Sequence, residues 1–244
     1  MAVIDTIFGK LRGRVGNLVF YEDGAGRTVM RKRGGKRGPS KKEGQKRQNV
    51  VFGTLTGHGG WMQEVIRLGF PGRGGWHGSF GRFTRANTRG VVTTEPLSPG
   101  RPLSRRRKAM DEFRGVVDYA RLRVSEGALA VPVGSVEVDK EERLVRFRSE
   151  GQPVEAVDCY SDDRVYGVVL CPSRYVCQVV EIGSRGTGGE AEVTLPAKVK
   201  KSKKSDCMCY LFAVRADGLE ASDSVCVYDG TKVSGEKEGQ SLKG

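Results

Sequence analysis

Histidine is nearly absent from this chain. His58 and His77 are the only two, and both stand among glycines, in Gly57-His58-Gly59 and Trp76-His77-Gly78. Neither has a nucleophile motif beside it. There is also no Gly-x-Ser-x-Gly, no phosphate-binding P-loop and no His-Glu-x-x-His, so the known short signatures of acyl transfer, nucleotide hydrolysis and zinc proteolysis are missing. The glycine-rich stretch 183–189 is followed by Glu190-Ala191-Glu192-Val193-Thr194, which reads as a strand. A dinucleotide site would need a helix there. Asp162-Asp163 and Glu141-Glu142 are adjacent pairs, which in a strand point to opposite faces; they read as turn acids and not as an acid–base couple. These absences lead to the expectation of a non-enzymatic protein without a cofactor.

Long apolar runs are missing too. Those present, such as residues 165–171, are far too short to span a bilayer. The start of the chain has an early acid, Asp5, and no basic segment before its short apolar stretch, so no secretory signal is read there. A soluble, cytoplasmic protein is expected, with a virion or surface particle as the other setting. Cysteine is absent from the first 115 residues. The six that follow include no Cys-x-x-Cys pair, and both histidines lie in the other half. Cys207-Met208-Cys209 puts two thiols on one face of a strand, yet the ligand spacing of structural zinc is lacking. In a cytoplasmic chain the six are expected to be reduced, buried, metal-free thiols.

What the sequence has in excess is positive charge, and it is unevenly placed. Residues 1–115 carry 24 Lys+Arg against 8 Asp+Glu, whereas residues 116–244 are slightly acidic, with 18 against 21. Two physically different halves are implied, the first suited to a polyanionic partner. Nine cations fall within 17 residues: Arg31, Lys32, Arg33, Lys36, Arg37, Lys41, Lys42, Lys46 and Arg47. Interleaved glycines would let backbone amides approach phosphates, and such cations displace condensed counterions. Further along, Arg73-Gly74-Gly75-Trp76 and Phe80-Gly81-Arg82-Phe83 mix rings with Arg73 and Arg82, a composition that can stack on single-stranded bases. The competing reading is a solvated basic surface, with Trp61, Trp76, Phe80 and Phe83 filling a small core. No helix-turn-helix, zinc-finger or single-stranded-RNA module signature is present.

Along the chain, residues 15–21 and 27–32 read as two strands joined by an Asp-Gly turn, a β-hairpin. Ser40 and Glu43 match a capping box opening a helix over about residues 41–55. Shorter helices are expected over 61–68 and 80–87. Ser98-Pro99-Gly100-Arg101-Pro102 and Arg105-Arg106-Arg107-Lys108 read as linker. Thereafter short β-rich runs recur with turns between them, at 120–124, 130–138, 144–147, 154–159, 165–171, 175–182, 191–195, 207–214 and 224–228, the pattern of a β-sandwich. The expected organisation is a basic hairpin-plus-helix region over 1–95, a linker over 96–115, a sandwich over 116–230 and a flexible tail over 231–244. The fold class is α+β, mainly β, with the sandwich of immunoglobulin or fibronectin type.

Several segments carry a family likeness. They are Gly9-Lys10 with Gly13-Arg14-Val15-Gly16-Asn17-Leu18-Val19-Phe20-Tyr21; Pro39-Ser40-Lys41-Lys42-Glu43-Gly44-Gln45-Lys46-Arg47; Tyr119-Ala120-Arg121-Leu122-Arg123-Val124; and Cys209-Tyr210-Leu211-Phe212 with Ala216-Asp217-Gly218 and Ser222-Asp223-Ser224-Val225-Cys226-Val227. Over most of its length the chain resembles an uncharacterised Bacteroidota family, domain of unknown function 6266. The resemblance implies the two-part architecture and a bacterial origin, and brings no activity with it. Two functions are therefore expected in competition. One is a binding or scaffolding protein whose basic half engages a polyanion such as nucleic acid. The other is a structural assembly subunit of a phage-like or surface particle, self-associating through the N-terminal hairpin and displaying the sandwich.

Overall fold

The computed structural model describes residues 2–3, 12–35, 42–97, 112–139, 141–152, 156–195 and 207–230. The chain divides into two compact units, Met1–Lys42 and Glu43–Gly244.

The first unit is an antiparallel sheet of β1 (Ala2–Val3), β2 (Gly13–Val15), β3 (Leu18–Glu22) and β4 (Thr28–Lys32), in the order β1-β4-β3-β2. The run expected as one strand over 15–21 is broken in two. Gly16 sits at φ +55°, and with Asn17 it makes a two-residue turn that sends β3 back along β2. The next turn is built by Asp23. Its carboxylate accepts from the backbone N–H of Ala25 (3.0 Å) and Arg27 (2.9 Å) and from Arg27 Nε (2.9 Å). These bonds, led by the Arg27 N–H, hold its carboxyl below the usual range.

The second unit stacks helices on a β-sandwich. Its helices are α1 (Glu43–His58), α2 (Gln63–Gly69) and α3 (Gly75–Asn87). Strands β5 (Val92–Pro96) and β6 (Phe113–Val117) pair with each other, and a 3₁₀ turn, Tyr119–Arg121, follows. The sandwich comprises β7 (Gly134–Asp139), β8 (Leu144–Ser149), β9 (Arg164–Cys171), β10 (Val176–Ser184), β11 (Gly189–Thr194), β12 (Met208–Val214) and β13 (Val225–Tyr228). One sheet runs β10-β9-β12-β13 and the other β11-β8-β7.

Strands β9 and β12 are apolar on both faces because both faces are covered. Tyr166, Val168, Leu170, Tyr210 and Phe212 join a core with Leu55, Met62, Val65, Ile66, Phe70 and Phe83 from the helices. Val165, Val169, Cys171, Cys209 and Leu211 join a second core with Val138, Val145, Phe147 and Val193 from the smaller sheet. Such a strand reads as a continuous hydrophobic run. Gly167 interrupts it where Phe147 of the smaller sheet packs against the strand: a Cβ there would lie 2.8 Å from the Phe147 ring.

The division into units departs from the expected one. Residues 43–95, expected with the basic N-terminal region, fall in the same compact unit as the sandwich strands. The compact break falls at Lys42/Glu43, and all three helices belong to the sandwich's unit. The physical reason is burial. A seven-residue α2 carrying Val65 and Ile66 has no stability alone, and the outer face of β9 and β12 needs a cover. The ends of the expected linker are strands, with Pro96 paired to Phe113. Residues 98–111, including Arg105-Arg106-Arg107-Lys108, and the tail 231–244 lie outside the described residues. Two other expected strands are not strands. Residues 120–124 hold the 3₁₀ turn and extended chain, and 156–159 make only an isolated bridge.

The expectation of six reduced thiols is also corrected. Cys171 and Cys207 are joined as a disulfide with their Cα atoms 4.4 Å apart. The register that sets Met208 against Leu170 carries Cys207 opposite Cys171. Their 36-residue separation hides that pairing in the sequence. Among the other thiols, Cys209 is buried and Cys159, Cys177 and Cys226 are half-buried. Burial pushes the Cys177 and Cys209 thiols up to about 12, so both are protonated and inert at neutral pH.

Candidate polyanion-binding surface

In the first unit, the row Arg14–Val19–Arg31 crosses β2, β3 and β4 through directly opposed residues, so both arginines stand on one face of the sheet. Arg31 lies diagonally over the Tyr21 ring, 5.5 Å from its centroid, a cation–π contact that orients the guanidinium. Lys32 falls on the opposite face with Leu18 and Val15. Arg33 follows the strand, tied by its backbone N–H to the Asn17 carbonyl (2.6 Å). Arg14, Arg31, Lys32 and Arg33 are all exposed. The acids nearby are already engaged: Glu22 pairs with Arg12 (2.5 Å) and Asp23 with Arg27 (2.8 Å). Lys36, Arg37 and Lys41 lie outside the described residues, and Lys42 is exposed.

The expected cations of the second unit divide differently. Arg73 is exposed. Lys46 is bound to Glu112 through two contacts, 2.6 and 2.8 Å. Arg47 grips Glu43 (2.7 Å), donates to Thr94 Oγ1 (3.0 Å) and lies 4.4 Å over the Phe113 ring. Arg82 donates to the Phe70 carbonyl (2.9 Å). Lys46, Arg47 and Arg82 thus hold α1 to β5 and β6 and α3 to the end of α2, and are half-buried in doing so. The rings weighed as stacking platforms are packed among themselves. Trp76 stacks on Phe80 (5.3 Å), Phe80 lies 6.1 Å from Phe83, and Phe83 is fully buried.

Four arginines that the sequence reading passed over converge elsewhere in the second unit. Arg85 and Arg89 at the end of α3, with Arg121 and Arg123 after β6, line an open groove of about 590 Å³ whose lining includes one acid, Glu126. Buried Asn87 fixes this arrangement. Its side-chain amide donates to the carbonyls of Phe83 and Arg123 (both 2.9 Å), and its carbonyl accepts from the Arg123 N–H (2.8 Å). The Glu126 N–H donates to the Gly69 carbonyl (3.1 Å), and Ser125 Oγ donates to the Ser222 carbonyl (2.8 Å). Arg85 stands in the last turn of α3 and Arg89 in the turn that follows it. Only the tertiary fold brings Arg121 and Arg123 across from them.

His58 has a structural place. Nδ1 faces the Thr54 carbonyl at 2.7 Å, so Nδ1 carries the proton; Nε2 then accepts from the Tyr119 hydroxyl at 2.9 Å. Burial lowers its pKa. Among the described residues no three His, Cys, Asp or Glu side chains are grouped to hold a metal ion, and no helix is long and apolar enough to cross a membrane. Comparison with protein-family models and with curated proteins finds no match for this chain.

Proposed function

We propose that the chain is a non-enzymatic binding or scaffolding protein whose basic N-terminal part engages a polyanion, nucleic acid being the natural candidate. One observation carries this reading. Arg14, Arg31, Lys32 and Arg33 are exposed and carry no carboxylate partner among the described residues, while the unit's two described acids are occupied by Arg12 and Arg27. Unneutralised cations on a small sheet are what counterion release needs.

The test is fluorescence anisotropy with a labelled oligonucleotide as salt is varied. Binding weakly dependent on sequence is expected, with log affinity falling against log salt by about 0.7–0.9 per phosphate contacted. Replacing Arg14, Arg31, Lys32 and Arg33 by Gln flattens that slope by about one per lost contact. The lysine run Lys198, Lys200, Lys201, Lys203 and Lys204 serves as the control set. No binding at about 0.15 M salt, where nonspecific complexes have dissociation constants of about 10⁻⁴–10⁻⁶ M, removes the reading. Equal loss in both sets reduces it to bulk charge.

A second reading, a structural assembly subunit, is favoured by the place of β2 at the edge of the first sheet among the described residues. Strand β2 is exposed along its length, and Val15 is 68 % exposed. Such an edge can accept a strand from a neighbouring copy. An immunoglobulin- or fibronectin-like character for the sandwich belongs to the same proposal. Lettered A to G in chain order from β7 to β13, the sheets hold A, B, E and D, C, F, G, two antiparallel sheets of seven strands in all, which supports it. Kinship with the Bacteroidota family rests on the motifs quoted above.

A further inference from the structure

We propose that the arginine groove at the end of α3 is a second anion site, which takes a phosphate ester of nucleotide size by its phosphate oxygens. Four arginines line a space of about 590 Å³, within the size range of small-ligand sites. Each presents a planar fork of donors that matches phosphate geometry. The charge is incompletely balanced. Arg123 pairs with Glu126 (2.9 Å) and Arg121 reaches Asp118 at 3.4 Å, but Arg85 and Arg89 have no acid partner among the described residues. Like charges held near one another repel, and a bound dianion removes that repulsion.

The plainer account of Arg85 and Arg89 is that cations suit a helix C-terminus. It covers only half the site. One carbonyl of that last turn, Thr84, already accepts from a side chain, Thr88 Oγ1 (2.5 Å). Arg121 and Arg123 lie outside the helix altogether. The backbone of the groove is fixed on this side, because Asn87 holds both the N–H and the carbonyl of Arg123. No aromatic ring lines the groove, so bases are not stacked there and recognition is through phosphate alone. That chemistry is offered equally by a free nucleotide and by the terminal phosphate of a nucleic-acid strand.

The site shares no residue with the N-terminal surface, so either can fail alone. Isothermal titration calorimetry of the full chain at about 50 mM salt, where exposed charge is weakly screened, provides the test. ADP and UDP bind alike and adenosine does not. A short oligonucleotide with a 5′-phosphate displaces ADP better than its dephosphorylated form if the strand end is the source, and neither displaces ADP if only a free nucleotide enters. Replacing Arg85 and Arg89 together by Gln weakens ADP by about tenfold or more, while Gln at Arg31, Lys32 and Arg33 leaves it unchanged. Should the double variant lose its fold, Arg89→Lys keeps the charge and still weakens ADP by losing the fork. The proposal is overturned if neither ADP nor the phosphorylated oligonucleotide binds. It is also overturned if adenosine binds as well as ADP, or if the two variant sets weaken ADP equally.

Discussion

His58 is the residue whose surroundings make the clearest demand. It is buried as a neutral ring, proton on Nδ1, between the Thr54 carbonyl and the Tyr119 hydroxyl, and burial lowers its pKa below the usual 6.5. Acid therefore protonates the unfolded chain before the folded one. Stability is complete above about pH 6.5, is lost as pH falls from there through the folded value, and levels off below both. Denaturant midpoints taken from pH 8 to pH 5 check this. The wild type loses stability between pH 7 and 5, and His58→Gln shows a flatter profile in that window. A flat or rising wild-type profile there contradicts the assignment. The contrast with Arg185 shows what single residues disclose. In a glycine-rich loop an arginine reads as solvated, yet Arg185 is fully buried, bonded to Asp163 (3.1 Å), Gln152 (3.0 Å) and the Ala130 carbonyl (2.6 Å). Asp163, read as a turn acid, is its buried counter-ion. All three partners are distant in sequence, so no local pattern announces them.

At the scale of elements, periodicity served well where one rule decides. Residues 165–171 and 207–214 read as strands because a buried strand is a compact apolar run, and β9 and β12 stand there. The three helices were expected in the right order; α1 runs to His58, three residues past its expected end, and α3 begins at Gly75, five before its expected start. β5 and β6 escaped notice because Val92-Thr93-Thr94-Glu95-Pro96 ends in proline, which reads as a break, and its partner is contributed from across the expected linker. The disulfide escaped for a similar reason. Its stabilising effect follows from the loop it closes. A 36-residue separation corresponds to about 3–4 kcal/mol of unfolded-chain entropy at 25 °C. Reduction is expected to lower the free energy of unfolding by about that amount, read from urea titrations with and without reductant. Unchanged midpoints, or six alkylated cysteines before any reductant is added, count against the pairing. A buried cystine also sits poorly with the expected cytoplasm, where thiols are kept reduced.

At the scale of the whole chain, the charge asymmetry was legible and the architecture behind it was not. Charge divides near residue 115, whereas packing divides at Lys42/Glu43. Composition reports solvent preference along the sequence; it does not report which helix covers which sheet. Every buried residue of the two cores comes from position 55 or later. A chain beginning at Glu43 is therefore expected to keep one cooperative unfolding transition within a few degrees of the full chain, by calorimetry. Loss of cooperativity in that shortened chain would mean that the first unit completes the second.

The pairing of β5 with β6 carries one further consequence. Five residues on each side, from Val92 with Val117 to Pro96 with Phe113, are zipped together, and α1 is fastened across both by Lys46 with Glu112 and Arg47 with Thr94 and Phe113. A backbone opened between Leu97 and Glu112 would thus leave both new ends held in register. The molecule could then be produced as two complementary fragments that find each other.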